Sequence, residues 1–77
     1  MLFNKFMDML NEKGYHYVST ESTCTIEIRY CACTIVIMFI NNQCKIYKYD
    51  LNDNIVDESK WYKRISYAWK YILKVAC

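Results

Sequence analysis

Basic and aromatic side chains alternate through the last part of this sequence. Residues 60–77 contain five Lys or Arg and no acid, whereas residues 1–59 contain five bases and eight acids. Clustered cations can neutralise phosphates, and the tyrosines set between them, Tyr67 and Tyr71, can stack on exposed bases. The side chains that carry this hypothesis of nucleic-acid binding are Lys60, Lys63, Arg64, Tyr67, Lys70 and Lys74.

A second group of polar and aromatic residues alternates with apolar residues that would form a core. The alternation predicts that this group lies on the exposed face of a sheet and in an acidic loop beside it. Tyrosines and charges around an apolar stripe are typical of a protein-binding surface. The residues predicted to bind a partner protein are Arg29, Lys45, Tyr47, Tyr49, Asp50, Asp53, Asp57 and Glu58.

Catalytic and metal-binding patterns are weak in this sequence. His16 is the one histidine, and no neighbouring pattern supplies the partners that a nucleophile or a general base needs. Cys31-x-Cys33 with Cys24 and Cys44 does not match the paired knuckles of structural zinc sites. We therefore predict a protein that is not an enzyme and has no metal or cofactor.

The cysteine count and the apolar runs predict a cellular compartment. Five cysteines cannot form a closed set of disulfides, and the N-terminus does not resemble a secretory signal. The run Ile35–Ile40 is far shorter than the ~20 residues that span a bilayer. We expect a complete small gene product in the cytoplasm of a host cell, with free thiols and no membrane partner.

Hydrophobic periodicity predicts the elements that position these groups. Residues 2–13 have the spacing of an amphipathic helix, and Gly14 is predicted to close it in a left-handed conformation. Strands are predicted from Thr23, over residues 34–40 and over residues 43–49, with Asn41-Asn42 as a hairpin turn. Residues 15–22 are predicted to be an extended connection.

The last helix is predicted to begin near Ser59. Asp57 would cap it, and Val56 and Trp61 would form a hydrophobic staple. Its core face would contain Trp61, Ile65, Ala68, Ile72 and Val75. The loop before it, residues 50–56, is predicted to bury Leu51, Ile55 and Val56.

These elements predict one α+β domain over residues 1–77 with the order α-β-β-β-α. A three-stranded antiparallel sheet would form one layer, and both helices would cover one of its faces. The uncovered face would expose three residues of the run 35–40 and would favour a homodimer.

The predicted order resembles that of the double-stranded-RNA-binding domain. In that family a lysine cluster opens the second helix over the phosphates, and Ser59, Lys60, Lys63 and Arg64 occupy the matching positions. The turn Cys31-Ala32-Cys33 lacks the Gly-Pro-His type of loop of that family. The resemblance implies nucleic-acid binding through the last helix.

In size, composition and fold style the chain also resembles small phage-encoded inhibitors of host defence, such as anti-CRISPR proteins. That resemblance implies a non-enzymatic protein that binds a host protein or ribonucleoprotein complex and blocks it. This is our leading hypothesis from the sequence, and a nucleic-acid-binding module is the alternative.

Overall fold

Along the chain, one helix precedes five strands and a second helix follows them. A computed structural model describes residues 1–76. The elements are α1 (Leu2–Lys13), β1 (Val18–Thr20), β2 (Thr25–Arg29), β3 (Thr34–Ile40), β4 (Gln43–Tyr49), β5 (Ile55–Glu58) and α2 (Ile65–Val75). The strands form one antiparallel sheet in the order β1-β2-β3-β4-β5. The α+β class is confirmed, but the predicted three-stranded sheet is wrong because each edge carries one more strand.

The end of α1 has the predicted glycine cap. Gly14 adopts φ 74° and ψ 23°, a left-handed conformation that costs a residue without Cβ little. Its N–H donates to the carbonyl of Asn11 (3.1 Å), and the N–H of Tyr15 donates to that of Leu10 (2.9 Å). These two bonds form a Schellman motif, which satisfies carbonyls that the helix end would leave unpaired.

The central hairpin follows the prediction residue by residue. Strands β3 and β4 have the predicted bounds, and Ile40 pairs with Gln43 across the turn. Asn41 and Asn42 have φ values of 52° and 59°. Two positive φ angles give a turn whose twist matches that of the strands, and Asn tolerates that conformation.

The core lies between the helices and one face of the sheet. Ile26, Ile37 and Ile46 pair side by side across β2, β3 and β4, and each side chain is 0% exposed. Both helices pack on this face, since the Phe6 ring lies 5.7 Å from that of Phe39 and 6.5 Å from that of Trp69. The side chains of Thr25, Val36, Met38, Lys45 and Tyr47 alternate with the core residues and lie on the other face, which we call the open face.

The region before α2 differs from the prediction. Asp57 is in β5 and does not cap a helix, Val56 and Trp61 form no staple, and α2 begins six residues after Ser59. The outer edge of β4 explains this difference. Cys44 and Ile46 are buried, and their backbone N–H and C=O groups point towards that edge. Buried backbone groups of this kind need hydrogen-bond partners. Ser59 and Tyr62, in the segment that follows β5, supply those partners. A helix over the same residues would use its backbone groups internally and would leave the edge of β4 unpaired.

Two smaller predictions are also wrong. Residues 15–22 are not merely a connection, since Val18–Thr20 pairs with β2 as an edge strand. Leu51, Ile55 and Val56 are not buried anchors, because they are 74%, 51% and 52% exposed. Among residues 1–76 there is no helix with both the length and the apolar character required to cross a membrane.

Candidate functional site

Ser59 connects the sheet to the segment that follows it. Its hydroxyl accepts a hydrogen bond from the backbone N–H of Ile46 (2.8 Å) and donates one to the carbonyl of Lys60 (2.7 Å). The side chain thus bridges the backbone of β4 and the backbone of the segment that follows β5. Tyr62, which follows two residues after Lys60, exchanges backbone hydrogen bonds of 2.7 and 2.8 Å with Cys44. Residues 60–62 are therefore fixed to β4 at both ends.

Residues 60–64 and one side of α2 form the two walls of a groove of about 590 Å³. We call it the basic groove. Positions 67, 70, 71 and 74 of α2 face it, at the spacing of one helix face. All six residues that were predicted from the sequence to bind nucleic acid line this groove. The lining residues are Lys60, Trp61, Tyr62, Lys63, Arg64, Tyr67, Lys70, Tyr71 and Lys74.

The charged residues that line the basic groove are all cations. Three cations belong to the segment before α2 and two to α2, and the lining set contains no Asp or Glu within the described chain. The cationic side chains are exposed. Cations on facing walls add their potentials in the space between them, so the groove is suited to a polyanion.

Two tyrosines give the groove an aromatic floor. The half-buried rings of Tyr62 and Tyr71 lie 6.3 Å apart, and the Tyr71 hydroxyl donates a 2.6 Å hydrogen bond to Oδ1 of Asp57. Burial and then this bond raise the pKa of Tyr71 above its ordinary value. The Lys60 ammonium lies 5.8 Å from the Tyr62 ring centroid, within the range of a cation–π contact.

Trp61 and Tyr62 are groove residues that the sequence analysis did not nominate. The helical interpretation placed Trp61 in the core, but the residue precedes α2 and is 40% exposed. The sequence does place this aromatic pair between Lys60 and Lys63, which would have indicated that both residues belong to the site. The helical spacing of Trp61 instead favoured a position in the core. Trp61 also lines a depression of about 200 Å³ with Ile40 and Gln43, so it lies where the groove meets the open face.

The open face has the composition that the alternation predicted. Val36 and Met38 lie between Glu27 and Thr25 on one side and Tyr47 and Lys45 on the other. These side chains are half-buried rather than exposed. The face is therefore a mixed polar and apolar surface.

Several charged residues of the open face form ion pairs with each other. Arg29 Nε donates to Glu27 Oε2 at 2.6 Å, and Lys45 Nζ donates to Glu58 Oε2 at 2.9 Å. The hydrogen bond to Glu58 raises the pKa of Lys45. The Lys45 ammonium also lies 5.5 Å from the Tyr47 ring. Because exposed pairs of this kind satisfy each other, these charges are less available to a partner than the groove cations.

The eight residues predicted to bind a partner protein do not form one site. Arg29, Tyr49, Asp50 and Asp53 line a depression of about 450 Å³ on the open face. Lys45, Tyr47 and Glu58 lie on the same face further along the strands. Asp57 is separated from them, since it pairs with Lys48 and bonds to Tyr71 of α2.

The acidic loop at this depression has an internal role for Asp50. Its Oδ1 accepts hydrogen bonds from the backbone N–H groups of Asn52 (2.9 Å) and Asn54 (3.0 Å). These donors, first that of Asn54, lower the pKa of Asp50. Asp53 adopts φ 62°, which completes the turn. The loop is thus held in shape by its own side chains.

The remaining reactive groups are dispersed. His16 is exposed in the connection between α1 and β1, and Cys24 and Cys31 are exposed free thiols. Burial raises the pKa of the Cys44 thiol to about 11. Residues 1–76 contain no group of three or more His, Cys, Asp or Glu that could hold a metal ion. Cys77 lies outside the described residues.

Comparison of the chain with protein-family models, with curated proteins and with solved structures gives no significant match. The function is therefore inferred from the geometry of the two surfaces.

Proposed function

We propose that this chain is a non-enzymatic protein that binds nucleic acid in the basic groove. The observation that supports this most directly is the convergence of five cations, with no acid among the lining residues, on the two walls of one groove. The six residues nominated from the sequence come from two separate structural segments, and all of them line it.

The form of the site favours a phosphate backbone over a single small anion. Positions 67–74 of α2 run along the groove for about 10 Å, given a rise of ~1.5 Å per residue. Cations spread over that length neutralise successive charges of a polymer, whereas one small anion would contact a few of them. The resemblance to inhibitors of host defence is compatible with such binding, because a ribonucleoprotein complex presents nucleic acid to an inhibitor.

Charge reversal of the groove tests the proposal. Lys63→Glu, Arg64→Glu and Lys70→Glu together should abolish binding to labelled oligonucleotides in fluorescence anisotropy at low salt. For the wild type, the logarithm of the binding constant should fall with the logarithm of salt with a slope of up to about −3.5, taking ~0.7 for each phosphate neutralised by the five cations.

A matched control variant separates the effect of the groove residues from the effect of the net charge of the protein. Lys5→Glu, Lys13→Glu and Arg29→Glu change the net charge equally and lie outside the groove. This control variant should keep most of its affinity for the oligonucleotides. Equal loss in both triple variants would show that only total charge matters, and absence of binding by the wild type at low salt would refute the proposal.

The second candidate function is inhibition of a host macromolecule through the open face. The depression that gathers Arg29, Tyr49, Asp50 and Asp53 favours it, because a concave site with both charges and an aromatic ring can orient a peptide. The partner would be a host protein or ribonucleoprotein complex in the cytoplasm. A homodimer through the same face is the related arrangement.

A further inference from the structure

We infer that the basic groove accepts a single strand of nucleic acid, with Trp61 as a stacking platform for a base. This inference rests on the proposed function and specifies which nucleic acid the groove takes. It differs from the duplex binding that the resemblance to the double-stranded-RNA-binding domain implied.

The placement of the cations argues against a duplex. An α-helix reads B-DNA when it projects from the protein into the major groove, and an RNA duplex is contacted by a surface that spans its minor groove and the neighbouring phosphates. Here α2 packs against the sheet through Ala68 and Ile72, and residues 60–64 form a wall beside its charged side. The resemblance required Ser59 and Lys60 to open the helix, but Ser59 is buried in the sheet edge and α2 begins at Ile65. The cations thus line a concavity, which a flexible strand can follow.

Exposed aromatic rings supply the second half of single-strand recognition. Trp61 and Tyr67 are 40% and 53% exposed on opposite walls of the groove, whereas Tyr62 and Tyr71 form its half-buried floor. Bases inside a duplex are stacked on each other, whereas the unpaired bases of a single strand can each offer a face to a ring. A strand that lies between the cations would bring its bases against these two rings.

Trp61 is held in place for this role. Its two neighbours are held by hydrogen bonds, since the Ser59 hydroxyl donates to the carbonyl of Lys60 and Tyr62 exchanges backbone bonds with Cys44. The Lys45 ammonium lies 6.0 Å from the Trp61 ring centroid. Because the backbone at Trp61 is held before binding, less conformational freedom is lost when a base stacks on the ring.

Anisotropy with four probes tests the inference. The probes are labelled 12-mers of oligothymidylate and oligouridylate and blunt 12-base-pair DNA and RNA duplexes, at one low ionic strength. Single strands should bind about 5- to 150-fold more tightly than the duplexes, the range of one base–aromatic stack. Tighter binding of either single strand than of both duplexes supports the inference.

The stacking role is tested with Trp61→Ala and Trp61→Phe. Trp61→Ala should weaken single-strand binding by about 5- to 150-fold and leave duplex binding unchanged. Trp61→Phe keeps a ring and should restore most of the affinity. Because Trp61 is partly exposed and lies outside α2, both variants should fold, which far-UV circular dichroism checks.

Tryptophan fluorescence gives an independent readout. In Trp69→Phe, Trp61 is the one tryptophan left, and its emission should be quenched by oligothymidylate. In Trp61→Phe, the remaining Trp69 packs against Tyr15 at 5.2 Å and should not respond. Duplex binding as tight as single-strand binding, with Trp61→Ala unaffected, would overturn this inference and leave the proposed function standing. Absence of binding to all four probes would overturn both.

Discussion

At the scale of the residue, Ser59 explains how the groove is attached to the sheet. It is a polar residue that is 7% exposed, and burial of a hydroxyl is unfavourable unless its hydrogen bonds are made. Both are made here, to Ile46 and to Lys60. The hydroxyl bridges an irregularity in the pairing of β4 with the chain that follows β5, and it thereby places Lys60 and Trp61 at the groove.

Ser59→Ala should lower the free energy of unfolding by about 1–3 kcal/mol, because the buried N–H of Ile46 loses its acceptor. Urea denaturation followed by circular dichroism measures the change. Ser66→Ala is the control, since Ser66 is exposed on α2 and should change stability by no more than about 0.5 kcal/mol. A Ser59→Ala protein as stable as the wild type would mean that water replaces the hydroxyl.

At the scale of the element, the sequence predicted what local periodicity determines. The bounds of α1, β3 and β4, the glycine cap and the two-asparagine turn follow from short-range patterns. The faces of β4 also followed, because Lys45 and Tyr47 must alternate with Cys44 and Ile46.

The elements that the sequence missed depend on long-range pairing. β1 and β5 exist because they complete the edges of a sheet whose centre is strongly apolar, and three or four residues carry no periodicity of their own. The same cause moved the start of α2, since Trp61 and Ile65 have helical spacing but the edge of β4 binds the chain through Tyr62. The groove could not be foreseen, because it requires a bend between residues 60–64 and α2.

Two adjacent residues of α2 test how this helix is held. Ile72 is 0% exposed in the core, and Leu73 is 56% exposed. Ile72→Ala should lower the free energy of unfolding by about 2–5 kcal/mol, because it removes buried methyl groups and leaves a cavity. Leu73→Ala should cost about 0.5 kcal/mol or less.

Comparison of the urea midpoints of these two variants decides whether α2 is packed as described. Similar losses in both would mean that Leu73 contacts something other than solvent, such as a second copy of the chain. Light scattering over a range of protein concentrations would then distinguish a dimer from a monomer.

At the scale of the whole molecule, charge is divided between two surfaces. The basic groove has cations without acidic partners among its lining residues, whereas the open face pairs Lys45 with Glu58 and Arg29 with Glu27. Unpaired cations give a long-range attraction that salt weakens, and paired charges give mainly short-range specificity. The two candidate functions therefore use different physical forces, and Lys45 connects their sites through its contact with Trp61.

The double substitution Tyr47→Ala with Tyr49→Ala separates the two functions. Neither tyrosine lines the groove, so we expect oligonucleotide affinity and its salt slope to be unchanged, as measured by anisotropy across a salt titration. If inhibition through the open face is the function instead, this variant should lose a host partner in a pull-down, while the groove triple variant retains it. Both rings are half-buried, so urea denaturation must first establish that the variant is folded. Loss of oligonucleotide binding by a folded Tyr47→Ala, Tyr49→Ala protein would contradict the separation, and would mean that the strand extends from the groove past Trp61 and Lys45 onto the open face.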